Sequence, residues 1–153
     1  MSPHKPVPAP YDLESSIGYL LYRAHQRALA EFRRLLEPLR LTPQQFGVLA
    51  FLYEQDAQRQ AALCERGAMD PNTMVGLVDR LEAVGLVQRG RDHRDRRAHL
   101  VRLTDKGRRV FRRCLPLQRR ASRRCFGMLS ASEQGRLRRL LHKMLNIHAP
   151  PRD

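Results

Sequence analysis

Between Thr42 and Leu103 the apolar residues change period once, at Gly85, and that change limits what the chain can fold into. Before it, spacing is helical. In "LTPQQFGVLAFLYEQ" Thr42 is a good N-cap and Pro43 suits the first helical position, with Phe46, Val48, Leu49 and Leu52 on one face. "QAALCERGAMD" reads as a short helix ending near Gly67. "DPNTMVGLVDRLEAVG" opens with Asp70 as cap and Pro71 at the first position, turns Met74, Leu77, Val78 and Leu81 inward, and stops at Gly85. After Gly85, "LVQRG" and "HLVRL" read as two strands of a hairpin with a long charged tip. That order predicts a mostly α fold with a small β-hairpin wing: a winged helix-turn-helix over residues 41–103.

Helical stretches flank this module. From Asp12 to about Leu39, Ile17, Leu20, Leu21, Ala24, Ala28, Phe32 and Leu35 recur at three- and four-residue steps. Thr104 is expected to cap a second long helix with a stripe of Val110, Cys114, Leu117, Ala121 and Cys125, interrupted and kinked by Pro116. Ser130–Glu133 reads as a capping box for a last helix carrying Leu137, Leu140, Leu141, Met144 and Leu145. The flanks carry more apolar surface than so small a module can cover, so residues 12–40 and 104–147 are expected to pair with a second copy. Residues 1–11 read as a flexible Pro-rich arm and 148–153 as a tail.

Charge points to the partner. Lys and Arg number 29 against 15 Asp and Glu, a net charge of +14, which favours a polyanion because each cation on a phosphate releases condensed counterions. No apolar run is long enough to span a bilayer, and "MSPHKPVPAP" lacks the apolar centre of a secretory signal, so a cytoplasmic protein is expected. Cys64, Cys114 and Cys125 show no CxxC spacing and read as free thiols, small core residues by default.

The octet "GRDHRDRR", residues 90–97, crowds arginines around two aspartates at the expected wing tip. Together with the stretch "VDRLEAVGLVQRGRDHRDRRAHLVRLTDKG", residues 78–107, it resembles the MarR family of bacterial transcriptional regulators, and the resemblance extends from about Asp12 to Ile147. The family's Asp-x-Arg-x-x-Arg signature falls on Asp92, Arg94 and Arg97, with Asp95 and Arg96 also matching. The resemblance implies a homodimer on double-stranded DNA, reading an imperfect palindrome. Arg94 is expected in the minor groove, where negative potential attracts a guanidinium, with Asp92 and Asp95 holding Arg96 or Arg97 and Arg91 beside them. The helix after Pro71 is expected in the major groove, with Asn72, Thr73, Met74, Gly76 and Arg80 as contacts and Asp70 as a cap. Gly76 allows either a close backbone approach to DNA or close packing between helices.

Many members of the family are repressors released by small aromatic acids or phenols, so the resemblance also implies an effector. Gly18, Tyr22 and His25 on one face of the first helix, with Phe46 and Leu49, are the expected pocket; the alternative is that this face packs on the second helix. Peroxide-sensing relatives carry a reactive Cys where this chain has Gly18, and the six His show no paired ligand spacing, so neither an oxidation switch nor a zinc site is expected, and no cofactor. Cys114 and Cys125, about 16 Å apart along one helix, cannot bridge within a chain. No nucleophile–base pair or Gly-rich phosphate loop suggests an enzyme. The reading is a repressor of an adjacent gene or operon. An architectural, nucleoid-type DNA protein without an effector is the alternative, supported by the charge.

Overall fold

A computed structural model describes residues 12–91 and 99–147. Its helices are α1 (Ile17–Leu36), α2 (Pro43–Glu54), α3 (Gln60–Gly67), α4 (Pro71–Ala83), α5 (Asp105–Phe126) and α6 (Ala131–Met144), with a 3-10 turn at Glu37–Leu39. Strands β1 (Gln58–Arg59), β2 (Val87–Arg91) and β3 (His99–Leu103) form one antiparallel sheet in the order β1-β3-β2. Val87 stands opposite Leu103 and Arg91 opposite His99.

Local chemistry sets the boundaries. Ser16, Thr42, Asp70, Thr104 and Ser130 each accept a hydrogen bond from a backbone N–H of the first turn they cap. Thr42 and Ser130 are in full capping boxes, with Gln45 and Glu133 as the reciprocal partners. At the end of α4, Gly85 adopts φ +72°, its N–H reaches the Glu82 carbonyl, and the Leu86 N–H reaches Leu81. This left-handed stop lets the chain reverse directly into β2.

The core lies within the winged helix-turn-helix module. Val48, Leu49 and Leu52 of α2, Leu63 of α3, Met74, Val78 and Leu81 of α4, and Val87 and Val101 of the sheet are buried in one cluster, closed by Leu36, Phe111 and Cys114. Phe46 stacks on Phe111 at 5.4 Å and meets Phe32 edge-on at 4.9 Å, joining α1, α2 and α5.

Two expectations are corrected, at the start of α1 and at Pro116, and one strand is new. α1 begins at Ile17, where Ser16 supplies the cap, not at Asp12. β1 was not anticipated; it is two residues long and exists because Gln58 and Arg59 pair with Val101 and Leu100. Pro116 does not interrupt α5, which runs on to Phe126, although the proline withholds one helical N–H. The apolar stripe of α1 is buried only at its C-terminal end: Leu35 and Leu36 are covered, while Ile17 is 75% and Leu20 53% exposed. Likewise Leu140 and Met144 of α6, and Leu145 just after it, lie more than half exposed.

Candidate nucleic-acid interface

One side of α4 is nailed to the core, which fixes what the other side presents. Met74, Leu77, Val78 and Leu81 face inward, leaving Asn72, Val75, Asp79 and Arg80 exposed, with Gly76 between them. Met74, expected among the DNA contacts, is fully buried and is instead a core residue. Asp70 accepts hydrogen bonds from the Thr73 N–H at 2.9 Å and the Thr73 hydroxyl at 2.6 Å, which hold its carboxyl below the usual range. Asp70 is thus the cap, and the proton Thr73 could offer a phosphate is already donated to it. A Cβ on Gly76 would meet only the Arg80 side chain, at 3.4 Å from Nη2. Helix packing therefore does not require this glycine, and the backbone there is open to approach from outside.

The spacing that buries Met74 also exposes Val75, a residue sequence reasoning passed over. On an edge that entered a DNA groove, an exposed valine could meet a thymine methyl. Asp79 shares that edge, where its charge would repel phosphate, but Arg89 of β2 bonds it at 2.6 Å. The same guanidinium pairs with Glu82, whose carboxylate also accepts the Arg89 backbone N–H at 2.8 Å, and those bonds hold the Glu82 pKa below its ordinary value. Arg89 thus pairs with both acids on α4, offsetting one of their two charges, and locks the wing root to that helix. Sequence patterning had no signal for it, because the partners lie seven and ten residues away in a different element.

The other end of the wing is equally fixed. The Asp56 carboxylate accepts the Leu103 N–H at 3.0 Å and an Arg108 N–H at 2.5 Å, tying β3 and α5 to the end of α2. Thr104 donates to the Gly85 carbonyl at 2.7 Å, and the Lys106 ammonium caps the Val84 carbonyl at 2.6 Å, where the α4 dipole is negative. Arg91 ends β2 and is exposed. Asp92, Arg94, Asp95, Arg96 and Arg97, the rest of the expected wing tip, lie outside the described residues.

The five residues expected to form an effector pocket are not brought together within one chain. Gly18, Tyr22 and His25 are exposed on the open half of α1, Leu49 is sealed in the core, and only Phe46 reaches a cleft. The alternative packing of that face on α2 does not hold either, since Tyr22 is 57% exposed. The cleft that Phe46 reaches, about 190 Å³, lies between α1, α2 and α5 and is lined by Ala28, Phe32, Phe46, Gln118, Ser122 and Phe126 together with Ala121 and Cys125. Cys114 is buried, and burial pushes its thiol up to about 11, away from thiolate chemistry. Among the described residues no cluster of His, Cys, Asp and Glu could hold a metal ion.

A helix pair presenting an open polar edge on α4, locked to a stranded wing, defines a winged-helix DNA-binding protein. Residues 41–99 match the MarR family model. Over 137 residues the chain is 36% identical to the transcriptional repressor NicR of Pseudomonas putida, covering 90% of this chain and 87% of that protein. Among solved structures it is similar to BpsR of Bordetella bronchiseptica, whose DNA binding is regulated by 6-hydroxynicotinic acid (34% identity, TM-score 0.84, covering 89% of this chain and 97% of that one). It is similar too to the repressor CouR bound to a 23-mer DNA duplex (32% identity, TM-score 0.82, covering 87% and 94%). The chain belongs to the MarR family of transcriptional regulators, proteins that bind DNA and are not enzymes. Among the described residues no helix is long and apolar enough to cross a membrane.

Proposed function

We propose that the protein is a homodimeric repressor that reads an imperfect palindrome and is released from it by a small aromatic or heteroaromatic carboxylic acid. The observation that carries the reading is the pairing of an exposed α4 edge with an aromatic-lined cleft one helix away. Phe46 lines that cleft and stacks on Phe111, which belongs to the helix anchored at the wing root by Arg108 and Thr104. A ring inserted beside Phe46 has a short mechanical route to the wing. The apolar lining suits one ring, and Gln118 and Ser122 supply polar ends for a carboxylate or ring hydroxyl. That BpsR is regulated by 6-hydroxynicotinic acid makes this compound the first to try.

On the DNA, Asn72, Gly76 and Arg80 take the major groove, and Arg94, with its neighbours Asp92, Asp95, Arg96 and Arg97, takes the minor groove. Two copies place their reading helices about 34 Å apart. The target is an adjacent gene or operon, and the protein works in the cytoplasm. Arg94→Ala is expected to weaken operator binding by about 1–3 kcal/mol.

The test is an operator duplex, recovered by selection from random sequence, titrated with and without 6-hydroxynicotinic acid and a panel of benzoic and cinnamic acids. An effector at about 100 times its Kd should stabilise the protein by about 2.7 kcal/mol and release the duplex. Ser122→Ala should blunt that response while leaving DNA binding intact. If no acid in the panel moves the melting point or the titration, the effector reading fails and the DNA reading stands. The architectural alternative is separated by specificity: a repressor prefers its operator over random duplex by about 1,000-fold or more.

A further inference from the structure

We propose that one face of α5 is a second duplex-DNA contact surface, distinct from the α4 edge and the wing. Arg109, Arg112, Arg113, Arg119, Arg120 and Arg123 are all exposed, and at 3.6 residues per turn they fall within an arc of about 120°. The opposite face, through Cys114, Ala121 and Cys125, is buried against α1 and α2, so the helix cannot turn its arginines elsewhere. Two further arginines at the margins are paired within the chain: Arg108 with Asp56 at 2.5 Å and Arg124 with Glu31, an acid it shares with Arg34, at 2.9 Å. The six between them have no acidic partner among the described residues. After Asp105 the helix contains no acidic residue at all.

An ordinary solvated helix face mixes signs at i, i+4, because like charges there destabilise the helix. Here Arg109–Arg113 and Arg119–Arg123 repeat like charge at that spacing, and the first of these pairs lies in the N-terminal half of the helix, away from the end that favours cations. A polyanion relieves both costs. The ridge from Arg109 to Arg123 is about 21 Å long, matching about six phosphates of one DNA strand along the helix axis. Duplex DNA is the favoured polyanion because the family already binds it, and because the ridge starts one turn beyond Thr104, at the root of the wing. Phosphate contact needs no base sequence, so the surface adds affinity without adding specificity.

The proposal is independent of the effector and is tested with the full chain on random-sequence duplex of about 60 base pairs, titrated from low to physiological salt. Exchanging Arg112, Arg113, Arg119 and Arg120 together for Gln should flatten the log–log salt slope by about 0.9 for each phosphate no longer neutralised, about two units or more in all. The half-ridge variant R119Q/R120Q should show part of that flattening. The same four positions exchanged for Lys should keep the wild-type slope, since the contact is one of charge. Operator and random duplex should weaken by the same factor, whereas Arg80→Ala should lower their ratio. Sedimentation confirms that each variant keeps the wild-type association state. Wild-type affinity and slope in the Gln variants would overturn the proposal, as would an equal flattening in the Lys variant, or a change confined to the operator. An acidic protein or a nucleotide as the occupant of the ridge would give the first of these results.

Discussion

Two glycines of the reading module look alike in the sequence and do opposite work. Gly107 is buried where α5 leaves the sheet; a Cβ there would overlap the Leu86 carbonyl oxygen and stand 3.1 Å from the Leu103 side chain. The oxygen also receives the Thr104 N–H, so neither partner can move aside cheaply. Gly107→Ala is therefore expected to destabilise the fold by about 1–3 kcal/mol or more, read as a lower urea midpoint at unchanged slope. Gly76 faces outward with only Arg80 near its missing Cβ. Gly76→Ala should raise stability by about 0.5–1 kcal/mol, since alanine is the better helix former, while weakening operator binding. A variant that is more stable yet binds DNA as well as the wild type would show that nothing approaches the backbone there.

Elements were legible where their ends carry local chemistry. Thr42, Asp70, Thr104 and Ser130 cap the helices the sequence assigns to them, and the period change at Gly85 locates the hairpin, because caps and periodicity act within a few residues. What was not legible depends on distant partners: β1 is a strand only because β3 lies beside it, and the Arg89 clamp is made across two elements. The site was legible as an element, not residue by residue; α4 was found, and Met74 was placed both inward, by the spacing it shares with Leu77 and Leu81, and among the DNA contacts, by position, of which only the inward placement holds. The effector residues are not gathered within one chain for a different reason, since a shared helix face says nothing of which element covers it. The clamp gives a prediction with a defined sign. Hydrogen bonds from Arg89 hold Glu82 below the ordinary carboxylate value of 4.5, so its contribution is present above that pH and disappears as pH falls through the lower folded value. Glu82→Gln should therefore cost more stability at pH 7 than at pH 3. An equal cost at both would assign the effect to packing, not charge.

At the scale of the molecule, the most informative fact is the contrast between the two ends of the apolar stripes. Where α1 meets α2 and α5, Leu36 and Phe32 join the core; one helix-length away Ile17, Leu20 and Tyr22 stand open, as do Leu140, Met144, Leu145 and Ile147 at the other terminus. These large side chains, each more than half exposed, would leave an apolar area that a soluble monomer rarely tolerates. The proposed cover is a second copy of the chain, the economical choice because a two-fold interface uses the same surface twice. In the proposed dimer the same pairing would set the geometry of DNA reading: one α4 edge would make a weak half-site contact, and two held about 34 Å apart would share the entropy cost of binding. Leu140→Glu places an acid in the middle of the α6 stripe, at a position 56% exposed in the single chain, so folding of the reading module should survive. Sedimentation should then show a monomer with an unchanged helical spectrum. Operator affinity should fall by about 100-fold, the low end of the gain expected from joining two half-sites. A Leu140→Glu protein that sediments as a dimer and keeps its operator affinity would remove α6 from the interface and leave the open stripes to another partner.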